Sequence, residues 1–209
     1  MTPAGKVNGI SLLNLQHTNN RLMDLNELNG KIKFCTNCRL HKSRINSITG
    51  EGNYNAEIMI IAQAPGETED REGKMFIGPS GIIFDRLLQN AEIQREDIYI
   101  TNLIKCYLPK CRRPSKNEIE QCSAYLDQEI ELIDPHIIVT LGFHATRYIF
   151  KKYNLNRPPK KEYKNLFGKQ SYVKNKIIFP VRHPTAVLFN PDKEELLQEN
   201  YNMILKLLL

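Results

Sequence analysis

Four short β-branched runs, separated by stretches of helical periodicity, constrain this chain most. Glu57 to Ala62, Ile98 to Thr101, His136 to Leu141 and Lys176 to Val181 are each apolar and bounded by polar, Gly or Pro residues, so each reads as a buried strand. Between them, a segment capped by Ser80 places Ile83, Phe84, Leu87, Leu88 and Ala91 on one face. Ser115-Lys-Asn-Glu118 is a capping box that opens a helix with Ile119, Cys122, Leu126, Ile130 and Ile133 in line. A further helix is expected after Gly142, and a last one from Asn190-Pro191, carrying Leu197, Tyr201, Ile204 and Leu208. Strand and helix alternate, which predicts an α/β fold: a three-layer α/β/α sandwich around a central four-stranded parallel sheet. Ligands of such sheets collect at the carboxyl ends of the strands. The ends at Ala62, near Asn102 and at Arg182-His183 should therefore share one crevice.

The cysteines add a second constraint. Cys35-Thr-Asn-Cys38 lies near the start, with Cys106 and Cys122 far downstream. Two close thiolates and two distant ones can close a tetrahedral site, as a structural zinc or a four-iron cluster requires. Disulfides are not expected, because the first twenty residues lack the pattern of a secretory signal. A thioredoxin-like redox pair fits less well, since Cys35 precedes the first strand and two partner cysteines would stay unexplained. On spacing alone Cys111 could replace Cys106, and either metal is permitted.

The chain has 209 residues and a formal net charge of +6. It is long enough for one sizeable core, and no apolar run approaches the roughly 18 residues that cross a membrane. A single domain over residues 21–209 is expected, behind a disordered extension over 1–20, in a cytoplasmic monomer. The positive charge favours a polyanionic partner. Lys105, Lys110, Arg112, Arg113 and Lys116 surround the third cysteine, a second basic cluster from Lys151 to Lys164 crowds a Pro-containing stretch read as a loop, and 153–174 reads as a Lys-rich insertion.

Specific motifs follow the strand ends. After the first comes Ala62-Gln-Ala-Pro-Gly-Glu-Thr-Glu-Asp70, then Gly73-Lys-Met-Phe-Ile-Gly-Pro-Ser-Gly81. After the second comes Thr101-Asn-Leu-Ile-Lys-Cys106, and after the fourth His183-Pro-Thr-Ala-Val-Leu188. In this order they resemble the uracil-DNA glycosylase superfamily, and its iron-sulfur type, family 4, in particular. The resemblance covers roughly Phe34 to Pro191. It implies a [4Fe-4S] cluster on Cys35, Cys38, Cys106 and Cys122, with Cys111 a bystander, and a DNA partner, single- or double-stranded, that carries uracil.

The resemblance also gives roles to residues. Releasing uracil leaves an oxocarbenium-like sugar and a base anion, so the base must be flipped out, gripped and relieved of charge. Phe76 is the expected stacking surface, and Asn102 the edge reader, donating to O4 while accepting from N3-H. His183 is expected to donate to O2, and the Ala64-Pro65-Gly66 turn to offer backbone donors. Arg182 is placed to reach a phosphate, and Val187 or Leu188 to fill the vacated stack.

The first motif departs from the family's GEAPG: Ala62 stands for Gly and Gln63 for the acid. No carboxylate base lies inside it, so Gln63 is expected to shape the pocket through its backbone, with Glu69 the best acidic candidate to orient water. Two other readings stay open: a glycosylase for another deaminated base such as hypoxanthine or xanthine, and a non-catalytic iron-sulfur protein that binds DNA.

Overall fold

The computed structural model describes residues 12–208. Six strands form one sheet: β1 (Glu51–Gly52), β2 (Ile58–Ala62), β3 (Ile98–Asn102), β4 (Ile137–Leu141), β5 (Ser171–Val173) and β6 (Lys176–Val181), in the spatial order β1-β3-β2-β4-β6-β5. The four expected strands are present and mutually parallel. Two antiparallel edge strands, β1 and β5, enlarge the expected sheet. β1 is two residues long, and β5 lies at the end of the Lys-rich insertion and forms a hairpin with β6 through a turn where Lys174 takes a left-handed φ of 53°. Neither is long or apolar enough to leave a period in the sequence.

Strand parity divides the core. Ile58, Ile60, Val139 and Phe179 face one side, where α3 (Pro79–Asn90), α6 (Thr185–Phe189) and α7 (Glu194–Ile204) cover them. Met59, Ile61, Ile138 and Ile178 face the other, against α1 (Leu12–Lys33), α4 (Lys116–Ile133) and α5 (Gly142–Lys152). Every central strand is buried on both faces, which gives the three layers.

The N-terminal expectation covers residues 1–20; residues 1–11 lie outside the described residues, and helix α1 already begins at Leu12. The Ser115 capping box forms as read, with Ser115 accepting from the Glu118 N–H. Ser80 does not cap α3. Gly78 is the cap, Pro79 opens the first turn, and Ser80 lies within it. Among the described residues no helix is long and apolar enough to cross a membrane.

Register brings the expected crevice together. Ala62 pairs with Asn102 and Leu141 with Val181, so the parallel strands all end on one edge of the sheet.

Candidate active site

Where β2 and β3 end side by side, Ala64, Pro65, Gly66, Glu69, Met75, Phe76, Ser80 and Asn102 line a pocket of about 20 Å³. That is room for about one water. Its floor depends on two close approaches. A Cβ on Gly66 would sit 2.5 Å from Glu69 Oε2, and one on Gly81 would sit 2.0 Å from the Phe76 carbonyl oxygen. Glu69, on the short helix α2 (Glu67–Glu72), is buried, and its Oε1 accepts from the N–H groups of Ile77 and Gly78 at 3.1 and 2.8 Å. One carboxylate oxygen is thus fixed by the loop, and the other lies against Gly66.

Asn102 closes β3 and is buried. Its Nδ2 donates to Met75 Sδ at 3.1 Å, a weak acceptor for an amide that could match a carbonyl. Met75 itself is clamped at both backbone groups: its N–H donates to Glu51 Oε2 at 3.3 Å and its carbonyl accepts from Arg95 Nη2 at 2.9 Å. The Arg95 guanidinium also lies 5.8 Å from the Phe84 ring centre.

Phe84 stacks on Phe76 with centroids 4.3 Å apart, and Phe76 in turn lies 5.9 Å from the His183 ring at an interplanar angle of 25°. Phe76 adopts a left-handed φ of 50°, a strain of order 1–3 kcal/mol for a bulky residue that the surrounding clamp must sustain. His183 follows β6. Its Nδ1 accepts from the Thr185 N–H at 3.2 Å and lies 3.0 Å from the Thr185 hydroxyl. Accepting at Nδ1 leaves the proton on Nε2. Burial holds the imidazole down to about 4, so at neutral pH it is an uncharged Nε2–H donor.

Across the β3 exit lies a second cavity, with Cys35, Cys38, Cys106 and Cys122 in its wall alongside His41, Arg44 and Tyr125. Cys111 is exposed and outside it. Arg44 Nη1 donates to Cys106 Sγ at 3.2 Å, and the Lys105 N–H donates to Cys122 Sγ at 3.1 Å. Burial pushes the Cys122 thiol up to about 12, so binding a metal group there must displace a proton. Among the described residues no three His, Cys, Asp or Glu groups converge on a point that would suit one ion. Four cysteines in one cavity wall, with N–H donors aimed at two of the sulfurs, form a thiolate donor set that a metal group could use.

Comparison with known proteins bears on this arrangement. The model of the uracil DNA glycosylase superfamily matches residues 49–206. A type-4 uracil-DNA glycosylase of Saccharolobus solfataricus is 44% identical over 176 residues, spanning 83% of this chain and 82% of its own. Type-4 enzymes of Sulfurisphaera tokodaii and Archaeoglobus fulgidus are 39% and 34% identical over 186 and 181 residues, covering 84% and 91% of their own lengths. The chain belongs to the uracil DNA glycosylase superfamily.

Seen as a member of that superfamily, the protein gathers most of the residues singled out from sequence, with exceptions. Ala64, Pro65, Gly66, Glu69, Phe76 and Asn102 share the pocket, and His183 adjoins it through Phe76. Gln63 is half-buried and absent from the lining; its carbonyl accepts from the Ile104 N–H at 2.9 Å. Arg182 is half-buried, its guanidinium 5.2 Å from the Phe167 ring centre. Val187 is the buried residue of α6 and packs into the core, whereas Leu188 beside it is 47% exposed. Asp70, the acid beside Glu69, turns away and accepts the N–H groups of Ile45 and Asn46.

Lys105 and Arg112 leave the basic surface cluster inferred from sequence. Lys105 is 1% exposed; its Nζ donates to Glu129 Oε2 at 2.5 Å and Thr101 Oγ1 at 2.6 Å. Glu129 also accepts from Tyr99 and Thr101. Arg112 makes a two-pronged pair with buried Glu118, at 2.6 and 2.9 Å, which Arg39 joins at 3.0 Å and which holds the carboxyl down to about 2. Sequence reading of this uracil DNA glycosylase superfamily member also missed Met75, Glu51 and Arg95. Only Glu129 carried a signal: an acid on the apolar stripe of α4.

Proposed function

We propose that this protein is a DNA glycosylase that flips uracil out of DNA and hydrolyses its N-glycosidic bond, leaving an abasic site for base-excision repair. The observation that carries the reading is the buried Asn102 amide, whose Nδ2 among the described residues donates only to the Met75 thioether at the strand-end pocket. Uracil O4 would replace the sulfur as acceptor while N3-H donates to Oδ1; cytosine presents the reverse pattern and leaves both groups unpaired. Because the pocket holds about one water, the base enters as the flexible Met75 side chain moves aside, its backbone staying clamped.

The bond from sugar C1′ to uracil N1 breaks with its electron pair leaving on the base. His183 donates its Nε2 hydrogen bond to O2, where that charge accumulates, and remains neutral overall. Phe76 covers the base face. Glu69, with Oε1 anchored, presents Oε2 to hold the water that adds to C1′ or to oppose the positive charge of the sugar. The water's proton goes to solvent or to the departing base. Leu188 fills the vacated stack and Arg182 meets a phosphate.

In this reading Cys35, Cys38, Cys106 and Cys122 hold a [4Fe-4S] cluster, whose chemistry when bound is to crosslink the start of the domain to the β3 exit through four thiolates. The exposed position of Cys111 supports that choice, as do the type-4 relatives. On this reading the protein is a cytoplasmic monomer. One experiment tests the whole: purified protein is incubated with single- and double-stranded oligonucleotides bearing one uracil, hypoxanthine or xanthine, and abasic sites are cleaved with alkali. Scission at uracil is expected. Scission at a purine only would move the reading to another deaminated base, and none at all, with iron and sulfide content intact, would reduce the protein to a DNA-binding one.

A further inference from the structure

A groove beside the pocket gathers cations that the protein does not neutralise. Phe143, Arg147, Arg157, Pro158, Pro159 and Lys160 line an open space of about 360 Å³ with Tyr163 at its base. Lys160 Nζ lies 5.4 Å from the Phe143 ring centre and the Arg147 guanidinium 5.9 Å from it. Elsewhere some exposed cations are paired, Arg71 with Glu72 and Arg86 with Glu194, and others, such as Lys151 and Lys174, are not among the described residues; the groove differs in setting three unpaired cations around one space. Arg147, Arg157 and Lys160 are exposed and take part in no ion pair among the described residues. Their fields reach inward: after burial itself, Lys160, Arg113 and Arg147 help to depress the pKa of His144. Holding like charges together costs free energy unless an anion occupies the space between them.

Position ties this groove to the pocket. α5 begins at Gly142, where an added Cβ would lie 3.5 Å from His183 Cβ, and Phe143 is the next residue. The ring of Phe143 also argues against a base as the occupant, because two cations lie against it and Tyr163 packs on it at 4.7 Å and 73°. What the groove offers is spaced positive charge on a wall stiffened by Pro158-Pro159, suited to consecutive phosphates rather than to nucleobases.

We infer that this groove binds the phosphodiester backbone of the uracil-bearing strand beside the flipped nucleotide, independently of sequence. The inference rests on the glycosylase reading for the strand's identity, but its test does not depend on base release. The triple variant Arg147→Gln/Arg157→Gln/Lys160→Gln is compared with wild type and with a charge-matched control, Lys151→Gln/Lys174→Gln/Lys206→Gln, which removes exposed lysines outside the groove. Fluorescence anisotropy on single- and double-stranded uracil oligonucleotides is recorded across salt, from about 50 to 200 mM.

The groove variant should bind about ten- to a hundredfold more weakly at low salt, with the slope of log K against log salt reduced by about 2 on single strands, at roughly 0.7 per lost phosphate contact. Its single-turnover release rate at saturating DNA should match wild type. Equal affinity and slope in the groove variant and wild type would overturn the inference, as would an equal loss in the control, which would make net charge the cause. If wild type binds DNA with the expected groove dependence yet releases no uracil, the glycosylase reading fails while the phosphate groove stands.

Discussion

The two cavities that flank the β3 exit are built on opposite principles. On the cysteine side every buried charge is answered: Lys105 by Glu129 and Thr101, Glu118 by Arg112, Arg39 and its own helix cap. On the pocket side the key amide has only a thioether for a partner, a carboxylate oxygen faces a glycine, and an aromatic residue sits in a strained conformation. Both hang from one short run, Thr101 to Cys106. The contrast separates scaffold from site: polar groups that are fully matched fix geometry, and polar groups left short of partners are held ready for a ligand.

The sharpest way to break that contrast is to remove one half of the buried pair. Glu129→Ala leaves the Lys105 ammonium alone in the core and is expected to cost about 3–5 kcal/mol of stability in urea unfolding. A loss below about 1 kcal/mol would mean the network is not scaffold. Next in size, Asn102→Ala and His183→Ala should each lower the single-turnover rate of uracil release by about 10²–10³-fold. Their melting temperatures should stay near wild type; if instead the proteins unfold and the rate per folded molecule holds, the pocket side is scaffold after all.

Arg95→Ala lies between the two regimes, because it removes a charged hydrogen bond to the Met75 carbonyl and the cation beside Phe84. About 1.5–3 kcal/mol of stability should go with it, together with a slower release step that Arg95→Lys restores in part. The smallest expected effect concerns pH. Since His183 in the folded protein titrates near 4, below the ordinary histidine value, release should be level from about pH 5 to 8 with no inflection near 6.5. The unfolded chain takes up this proton first, so the His183 contribution to stability declines as pH falls from about 6.5 towards 4 and is constant above. A rate profile breaking near 6.5 would show that the imidazole keeps the ordinary histidine value and is charged below it.

The parts of this molecule that were legible in sequence are those where one residue type answers to one local rule. Buried parallel strands require continuous β-branched runs, and Ile58–Ala62 and Ile137–Leu141 supply them; Ser115 and Glu118 cap a helix by a local exchange of hydrogen bonds. Strand ends in a parallel sheet must converge, which places Asn102 beside Ala62, whereas Phe76, Glu69 and the Ala64-Pro65-Gly66 turn are named from the resemblance to the glycosylase motifs. What escaped were partnerships across long separations. Lys105 reads as surface charge until Glu129, on the far helix, is brought beneath it, and Arg95 has no meaning until the Met75 loop folds over it. The edge strands escaped for a different reason: their pairing is backbone to backbone, and Glu51-Gly52 carries no side-chain pattern to announce it.

Gly66 and Gly81 mark places where the pocket is shaped by an absent methyl group. A side chain at position 66 would occupy the space of the Glu69 carboxylate, and one at position 81 the space of the Phe76 carbonyl. Variation is therefore channelled: neither glycine can gain a side chain without moving the Glu69 carboxylate or the Phe76 backbone, while a different side chain at position 75, on a clamped backbone, would change what the pocket admits. Base preference in relatives of this chain should accordingly drift through the residue at 75 rather than through positions 66 and 81.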